Sequence, residues 1–409
     1  MFRLIIIVMF ACCLSTAQGD VNLAGSAEGF AAVAYGPSAV SYNPANLTMF
    51  PGTYLELLSL RGGAGNNSYS ISDYNRFNGS FWDDEMKKEI LSKIDGKTFS
   101  FNGDINARAA GFSLAGFAVT TETRLVSSID VPKEMCELIL NGNTIGRTFS
   151  IDNADGAGIA FTEMRFSAAR PLVSVFPVES TRFDKWHGGL TLKILKGWGY
   201  GELLEAEGGL QTTEEMVYGN GRFRSLYARG GSGLGFDLGF AGPVSDNWIG
   251  SLAVRDLFTK INWTRDVEER IETFEVPGLV LGDSVSVNSD SVTRSLSQTE
   301  TALPAIFSIG AARQWTRWLA AGQIQLATGT RYGASSSPRA SMGTAWKMRS
   351  WLVVRASAAA GGDRASNVGG SLGIAVGAIH VNLGLHSWGS LNPFASKGFG
   401  LISALAVKL

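Results

Sequence analysis

The sequence predicts an all-β protein, a closed antiparallel transmembrane β-barrel, and three observations carry that reading. Runs of about ten residues with a two-residue hydrophobic period, each followed by a turn, recur from 144 to the end of the chain. One face of these runs is large and apolar, and the other is mostly Gly, Ala and Ser with an occasional Arg or Asn. Glycine supplies 50 of 409 residues and charged residues only 17%, against about 7% and about 25% in ordinary soluble domains. A soluble sandwich would bury its large side chains and offer water a charged face. A barrel in lipid does the reverse, turning large apolar side chains outward and small or polar ones inward.

The first nineteen residues are set apart from the fold. Arg3 precedes an apolar core, Leu4 to Leu14, and Ala17-Gln18-Gly19 places small residues three and one positions before a cut ahead of Asp20. This is the form of a cleaved secretory signal, too short for a membrane-spanning helix. Cleavage would remove Cys12 and Cys13 and leave Cys136 as a single thiol, which excludes an internal disulfide and suits a bacterial envelope. Residues 20–50 are small, apolar and turn-rich, ending in Tyr42-Asn43-Pro44-Ala45-Asn46-Leu47. They lack an alternating run long enough to cross a bilayer, and they fit inside a barrel whose inner faces are also Gly and Ala. They are expected to form an N-terminal plug or lumen-lining segment, with residues 51–409 as the barrel.

Residues 53–60 read as the first strand and 61–82 as an exposed loop. Residues 83–94 read as a short helix, with an acidic start, later lysines and an apolar stripe of Met86, Ile90 and Ile94. A strand pair is expected over 97–105 and 109–120. Pro132 to Leu140, stopped by Asn141-Gly142-Asn143, reads as a second short helix. Beyond 144 the expected strands include 155–169, 187–196, 203–213, 222–229, 233–242, 247–255 and 258–264, with a polar excursion over 265–300. The last 110 residues show the alternation most sharply. Leu352, Val354, Ala356 and Ala358, like Ile379, Val381, Leu383 and Leu385, should face lipid, and Arg355 should face inward. Trp198, Trp248, Trp315, Trp318, Trp351 and Trp388 fall where interfacial girdles would sit.

The opening Ala32-Val33-Ala34-Tyr35-Gly36-Pro37-Ser38-Ala39-Val40-Ser41-Tyr42-Asn43-Pro44-Ala45-Asn46-Leu47 resembles that of barrels in the broad long-chain fatty acid transporter superfamily. The chain is most similar to an uncharacterised envelope branch found in Bacteroidetes and related phyla. The segments that carry this second resemblance are 132–143, Thr162 to Arg170, Gly189 to Gly197, Gly233 to Gly239 and Leu352 to Ala356. The resemblance implies an outer-membrane barrel of about fourteen strands in a diderm bacterium. It further implies an N-terminal plug and a conduit for long-chain fatty acids or other apolar small molecules. The alternative is a non-transporting structural or interaction barrel serving an envelope or secretion machine, its protein partner bound through loops 61–82 and 265–300.

Chemistry-bearing residues are few. His380 and His386 share one face of a strand but stand about 20 Å apart when extended, too far for a shared metal, and His187 is isolated. Cys136 lies on a short amphipathic helix with no local His. No phosphate loop or His-Glu-x-x-His occurs. Neither catalytic, metal nor cofactor residues are assigned, and an enzyme is not expected. Asp20, Asp104, Glu122, Glu163 and Asp237 are instead expected to face inward, paired with Arg108, Arg165, Arg170, Arg229, Arg255 or Arg355. Lys plus Arg totals 35 and Asp plus Glu 36, so no net charge recruits nucleic acid. The expected partners are membrane lipid, an apolar ligand and an envelope protein.

Overall fold

The computed structural model describes residues 29–174, 184–280, 287–362, 366–390 and 392–409. The expected signal, Asp20, Cys12, Cys13 and residues 20–28 lie outside them. Seventeen strands form one antiparallel sheet. They are β1 (Tyr54–Asn66), β2 (Thr98–Leu114), β3 (Phe117–Pro132), β4 (Thr148–Ser150), β5 (Asp155–Pro171), β6 (His187–Thr212), β7 (Met216–Ser245), β8 (Trp248–Val280) and β9 (Asn288–Ser295). After these come β10 (Thr299–Ala302), β11 (Ile306–Gln314), β12 (Trp318–Ala327), β13 (Arg339–Arg349), β14 (Leu352–Gly361), β15 (Asn367–Val376), β16 (Ile379–Trp388) and β17 (Gly398–Lys408). The sheet closes where β17 pairs with β1, from Tyr54 opposite Lys408 to Gly65 opposite Gly398. β9, β10 and β11 pair in turn with successive stretches of β8 and make one interrupted stave, while β4 is a short addition beside β6. The wall is therefore a closed barrel of fourteen staves, and no edge is left along its length.

Both ends of the wall, Tyr54 and Lys408, lie at the same rim, as an even stave count requires. The turns at this terminal end are mostly short, such as Ala115-Gly116 and Asp246-Asn247. The loop end carries the longer connections and three helices, α2 (Ile71–Phe77), α3 (Asp84–Ser92) and α4 (Lys133–Asn141); α1 (Asn46–Met49) belongs to the N-terminal segment. β6, β7 and β8 run 26, 30 and 33 residues. A tilted strand needs only about 9–11 to cross hydrocarbon, so these three stand far beyond it at the loop end.

The outer face is apolar. Leu383, Leu385, Leu401, Ile324 and Leu234 are each more than half exposed, which only a hydrocarbon surround makes favourable over a band this continuous. Leu352, Val354, Ala356 and Ala358 point outward, as do Ile379, Val381, Leu383 and Leu385, while Arg355 points inward. Trp248, Trp315, Trp318 and Trp351 ring the terminal end and Trp198 stands farther along β6. Trp388 departs from the expected girdle. It is buried against Gly63 and Gly65, where an added Cβ would come within 2.9 and 2.4 Å of its ring.

Several element boundaries differ from expectation, and glycine explains most of them. The expected strands 187–196 and 203–213 are one strand, as are 222–229 with 233–242 and 247–255 with 258–264. Gly197 and Gly231 read as turns, yet they are extended wall residues that make room for Trp263. A Cβ on Gly197 would lie 2.5 Å from the Trp263 ring, and one on Gly231 would lie 2.6 Å from Ile261 Cγ2. Conversely, a real turn hides inside 109–120, at Ala115 (φ 48°) and Gly116 (φ 85°). The loop expected over 61–82 begins with six residues of β1, and 265–300 is mostly strand. Beyond the bilayer a strand needs no apolar face, so polar 268–275 still ladders to β7 on one side and to β9 on the other.

Candidate functional site

Residues 29–50 lie inside the barrel at its terminal end. Phe30, Ala32, Val33 and Tyr35 pack with inward residues of β1 and β11–β15, including Tyr54, Ala312, Ala345 and Val353. Ala39, Val40 and Leu47 pack on Ala118 and Ala169 of the opposite wall. The segment therefore touches staves all round the barrel and closes it there.

The Asn43-Pro44 turn is its best-held part. The Asn43 side-chain amide donates to Ser251 Oγ at 2.8 Å, to the Phe240 carbonyl at 3.0 Å and to the Leu252 carbonyl at 3.2 Å. Its Oδ1 accepts from the Ala45 N–H at 2.9 Å, the local bond that makes Asn a turn residue. The wall is shaped to receive it. A Cβ on Gly239 would sit 1.9 Å from Asn43 Oδ1, and one on Gly189 would sit 2.4 Å from the Ala45 nitrogen. Asn46 adds a bond to the Ala31 carbonyl at 2.8 Å, and His187 Nδ1 is hydrogen-bonded to Thr48 Oγ1 at 2.9 Å.

Above the segment lies a layer of charge. Strand alternation places four acids, Glu56, Glu122, Glu163 and Asp237, and five cations, Arg108, Arg124, Arg165, Lys193 and Arg255, inward on β1 to β3 and β5 to β8, and a bulge in β8 turns a fifth acid, Asp256, in beside them. Arg108 bridges Glu56 at 2.8 Å and Glu122 at 3.0 Å. Arg165 bridges Glu122 at 2.9 Å and Glu163 at 2.5 Å. Lys193, 2% exposed, lies 2.7 Å from both Asp237 and Asp256. Arg124 stands 3.7 Å from Asp256. Equal numbers of opposite charges make the layer neutral, which is what a confined, partly dehydrated lumen demands. Ser41 joins segment to layer. Its hydroxyl donates to Glu122 at 3.3 Å and accepts from Arg165 at 2.8 Å and from Arg108, while its carbonyl accepts from Arg255 at 2.8 Å.

Of the charges expected inside, Asp104, Glu122, Glu163, Asp237, Arg108, Arg165, Arg255 and Arg355 are there. Arg170 and Arg229 are not; both face outward, Arg170 over the Phe117 ring at 5.2 Å. Glu56, Arg124, Lys193 and Asp256 were missed. Lys193 was legible, since it alternates with Thr191 and Leu195 on the inner face while Leu190, Leu192 and Ile194 face out. Asp256 was not, because it sits at a bulge with φ 57° that breaks the alternation. His380 and His386 face inward on β16, with His386 beside the Trp388 ring at 5.7 Å, and Cys136 is half-buried on α4.

Toward the loop end the lumen has two unlike sides. One is a cavity of about 580 Å³ whose floor includes Ser41, Arg124 and Arg165 and whose wall carries Asn102, Asn106 and Gln323. The other is an apolar cluster on the inner wall of β5 to β8, built from Phe161, Leu195, Tyr200, Ile261 and Trp263. Tyr200 and Trp263 stack at 5.7 Å, and Trp263 Nε1 donates to Thr301 Oγ1 at 3.0 Å. The cluster includes Leu303, which belongs to the gap between β10 and β11. There Pro304 has no N–H to give the ladder, and β8 opposite carries positive φ at Asp256 and Phe258.

No curated protein matches the sequence. Solved structures share the fold at low identity. The toluene transporter TbuX of Ralstonia pickettii aligns with a TM-score of 0.53 at 12% identity, over 96% of this chain and 99% of that one. The P. putida toluene transporter TodX aligns with a TM-score of 0.53 at 12% identity, over 95% and 99%. A Pseudomonas aeruginosa FadL homologue gives 0.52 at 11%, over 95% and 98%. The chain thus adopts the same barrel fold as these structures. At the level of sequence, a family of unknown function (DUF5723) matches residues 44–226 and 218–385, which is most of the chain, and the protein belongs to that family.

Proposed function

We propose that the protein is an outer-membrane barrel that admits small molecules with a large apolar part, long-chain fatty acids among them, past a stopper formed by residues 29–50. The observation that carries this reading is the apolar inner cluster, which runs from the mouth of the lumen to Leu303 at the interrupted stave. An acyl chain would follow that cluster while a polar head remained in the adjoining cavity. The loop end is the outer side, because long connections face outward in such barrels and short turns face the periplasm. The fold shared with the toluene transporters supports the class of cargo, and the sequence resemblance to the Bacteroidetes envelope branch supports the compartment.

The test removes residues 20–42. The wall should persist as a heat-resistant barrel, while ion conductance in planar bilayers rises and retention of a bound fatty acyl chain falls. Unchanged conductance together with unchanged lipid content would end the transport reading.

A second reading, an interaction barrel serving an envelope machine, is favoured by one specific observation. The balanced ionic layer spans seven neighbouring staves and binds the N-terminal segment through Ser41, an arrangement suited to a barrel that stays shut. The polar hairpins of β6 to β9 beyond the membrane would then be the binding surface. Crosslinking from 268–275 in intact envelopes that captures one envelope protein, with no conductance from the truncated barrel, is the outcome that selects it.

A further inference from the structure

The connection from β12 to β13, residues 328–338, does not stand away from the barrel but folds back over its mouth. Arg331 reaches Glu202 of β6 at 3.2 Å and Asp155 of β5 at 3.4 Å. Around the wall, those strands are separated from β12 by β7, β8 and the interrupted stave β9 to β11. Tyr332 packs against the apolar cluster of the same far side. The connection therefore crosses the lumen as a strap.

The strap has internal order. Ala334 N–H donates to the Arg331 carbonyl at 3.0 Å and the Thr330 and Ser336 hydroxyls meet at 2.7 Å, while its base is held to the wall by Ala327 N–H of β12 donating to the Ser335 carbonyl at 2.9 Å and Thr328 N–H donating to the Ala305 carbonyl at 3.0 Å. It can thus move as a body. Its far attachment combines the Tyr332 contact and the bond to Glu202, which is 18% exposed, with a weaker pair to Asp155. Arg331 and Asp155 are 38% and 45% exposed, and ion pairs so open to water hold little. Tyr332 adopts φ 52°, a left-handed conformation that costs a bulky residue energy and is relieved on release.

The position of the latch gives it meaning. Arg331 and Asp155 line both the 580 Å³ inner cavity and a separate open groove beside Leu203 to Glu207. The pair is the partition between the two spaces, and parting it would merge them into one wider entrance.

We propose that residues 328–338 form a movable strap across the lumen, latched by Arg331 to Asp155 and Glu202, that sets the size of solute admitted to the inner cavity. The proposal rests on the transport reading for its purpose but not for its geometry, so the two are tested separately. A reporter thiol is placed at the inward-facing Ser128 of β3 in a Cys136→Ser background, and its reaction with a small maleimide and with a bulky polymer-linked one is timed on purified, heat-modifiable protein. Arg331→Ala is expected to speed the bulky reagent about fivefold, the modest gain that a half-exposed ion pair allows, and to leave the small one unchanged. Asp155→Asn with Glu202→Gln, which leaves the strap sequence intact, should do the same, and Arg331→Lys should fall between. Equal bulky-reagent rates in all these proteins would overturn the strap. In vesicles carrying the 20–42 deletion, Arg331→Ala should also raise the largest solute that passes. If the labelling rates move but neither barrel passes solute, the strap stands and the transport reading fails.

Discussion

Lys193 shows how much of this molecule is decided by single side chains. It is enclosed at 2% exposure between two aspartates at 2.7 Å each. Removing it as Lys193→Met takes away the cation shared by Asp237 and Asp256 and leaves Arg124, 3.7 Å from Asp256, as the cation still paired there, and breaking one partner out of a buried ionic set costs about 3–5 kcal/mol. Urea unfolding in detergent should show that loss, and the triple change with Asp237→Asn and Asp256→Asn should recover most of it. Gly239 makes the opposite case, a residue with no side chain whose vacancy is filled by another. Gly239→Ala would drive a methyl into Asn43 Oδ1, 1.9 Å from the Cβ position. Because Asn43 belongs to the segment and not to the wall, the expected result is a displaced turn in a folded barrel, read as a conductance increase without loss of heat resistance. Unfolding of the wall by Gly239→Ala would show that the turn and the wall are not separable.

At the scale of the element, alternation was the dependable signal and glycine the misleading one. β14, β16 and β17 were readable in register because their outer rows are apolar while their inner rows are mostly polar or small. Placing Arg at Leu383, 55% exposed in the middle of β16, should cost about 2–4 kcal/mol at the bilayer midplane, measured by reversible folding into vesicles, whereas Leu383→Ile should be nearly silent. The expected strands break in β6 and β7 at Gly197 and Gly231, which look like turns on paper, and in β8 at the Asp256 bulge. Only the arrival of Trp263 from another strand explains why the two glycines are flat wall, and such a distant cause leaves no local trace. The ionic layer was half legible for the same reason, since Glu56 and Lys193 obey the alternation but Asp256 sits on a bulge. The loop-end helix α2 carries its own pH signature. Burial alone would raise the Asp73 carboxyl, but Lys93 at 2.8 Å and the Ser70 capping box hold it at about 2, below its ordinary 3.8. A depressed folded value means that the stabilisation is full above the ordinary value and is lost as pH falls through about 2. Hydrogen exchange in 70–77 should therefore quicken between pH 4 and 2 while the barrel amides stay protected, and Asp73→Asn should abolish that dependence.

On the scale of the whole molecule, the barrel combines a wall built for lipid with a lumen built for charge, and the N-terminal segment belongs to neither chemistry alone. It shares apolar contacts with the small inner residues of β11 to β15 and hydrogen bonds with the layer on β2, β3, β5 and β8. This arrangement fixes an order of events in assembly. Asn43 is received by Phe240, Ser251 and Leu252, between 197 and 209 positions later in the chain, and Phe30 occupies the space left open at Gly343. This segment has no place to rest until staves from both halves of the sequence have come together. Contacts this remote are slow to form because the chain between them must be closed first. Residues 29–50 should therefore be the last region to gain protection during refolding, and their settling marks the moment at which the ring is complete.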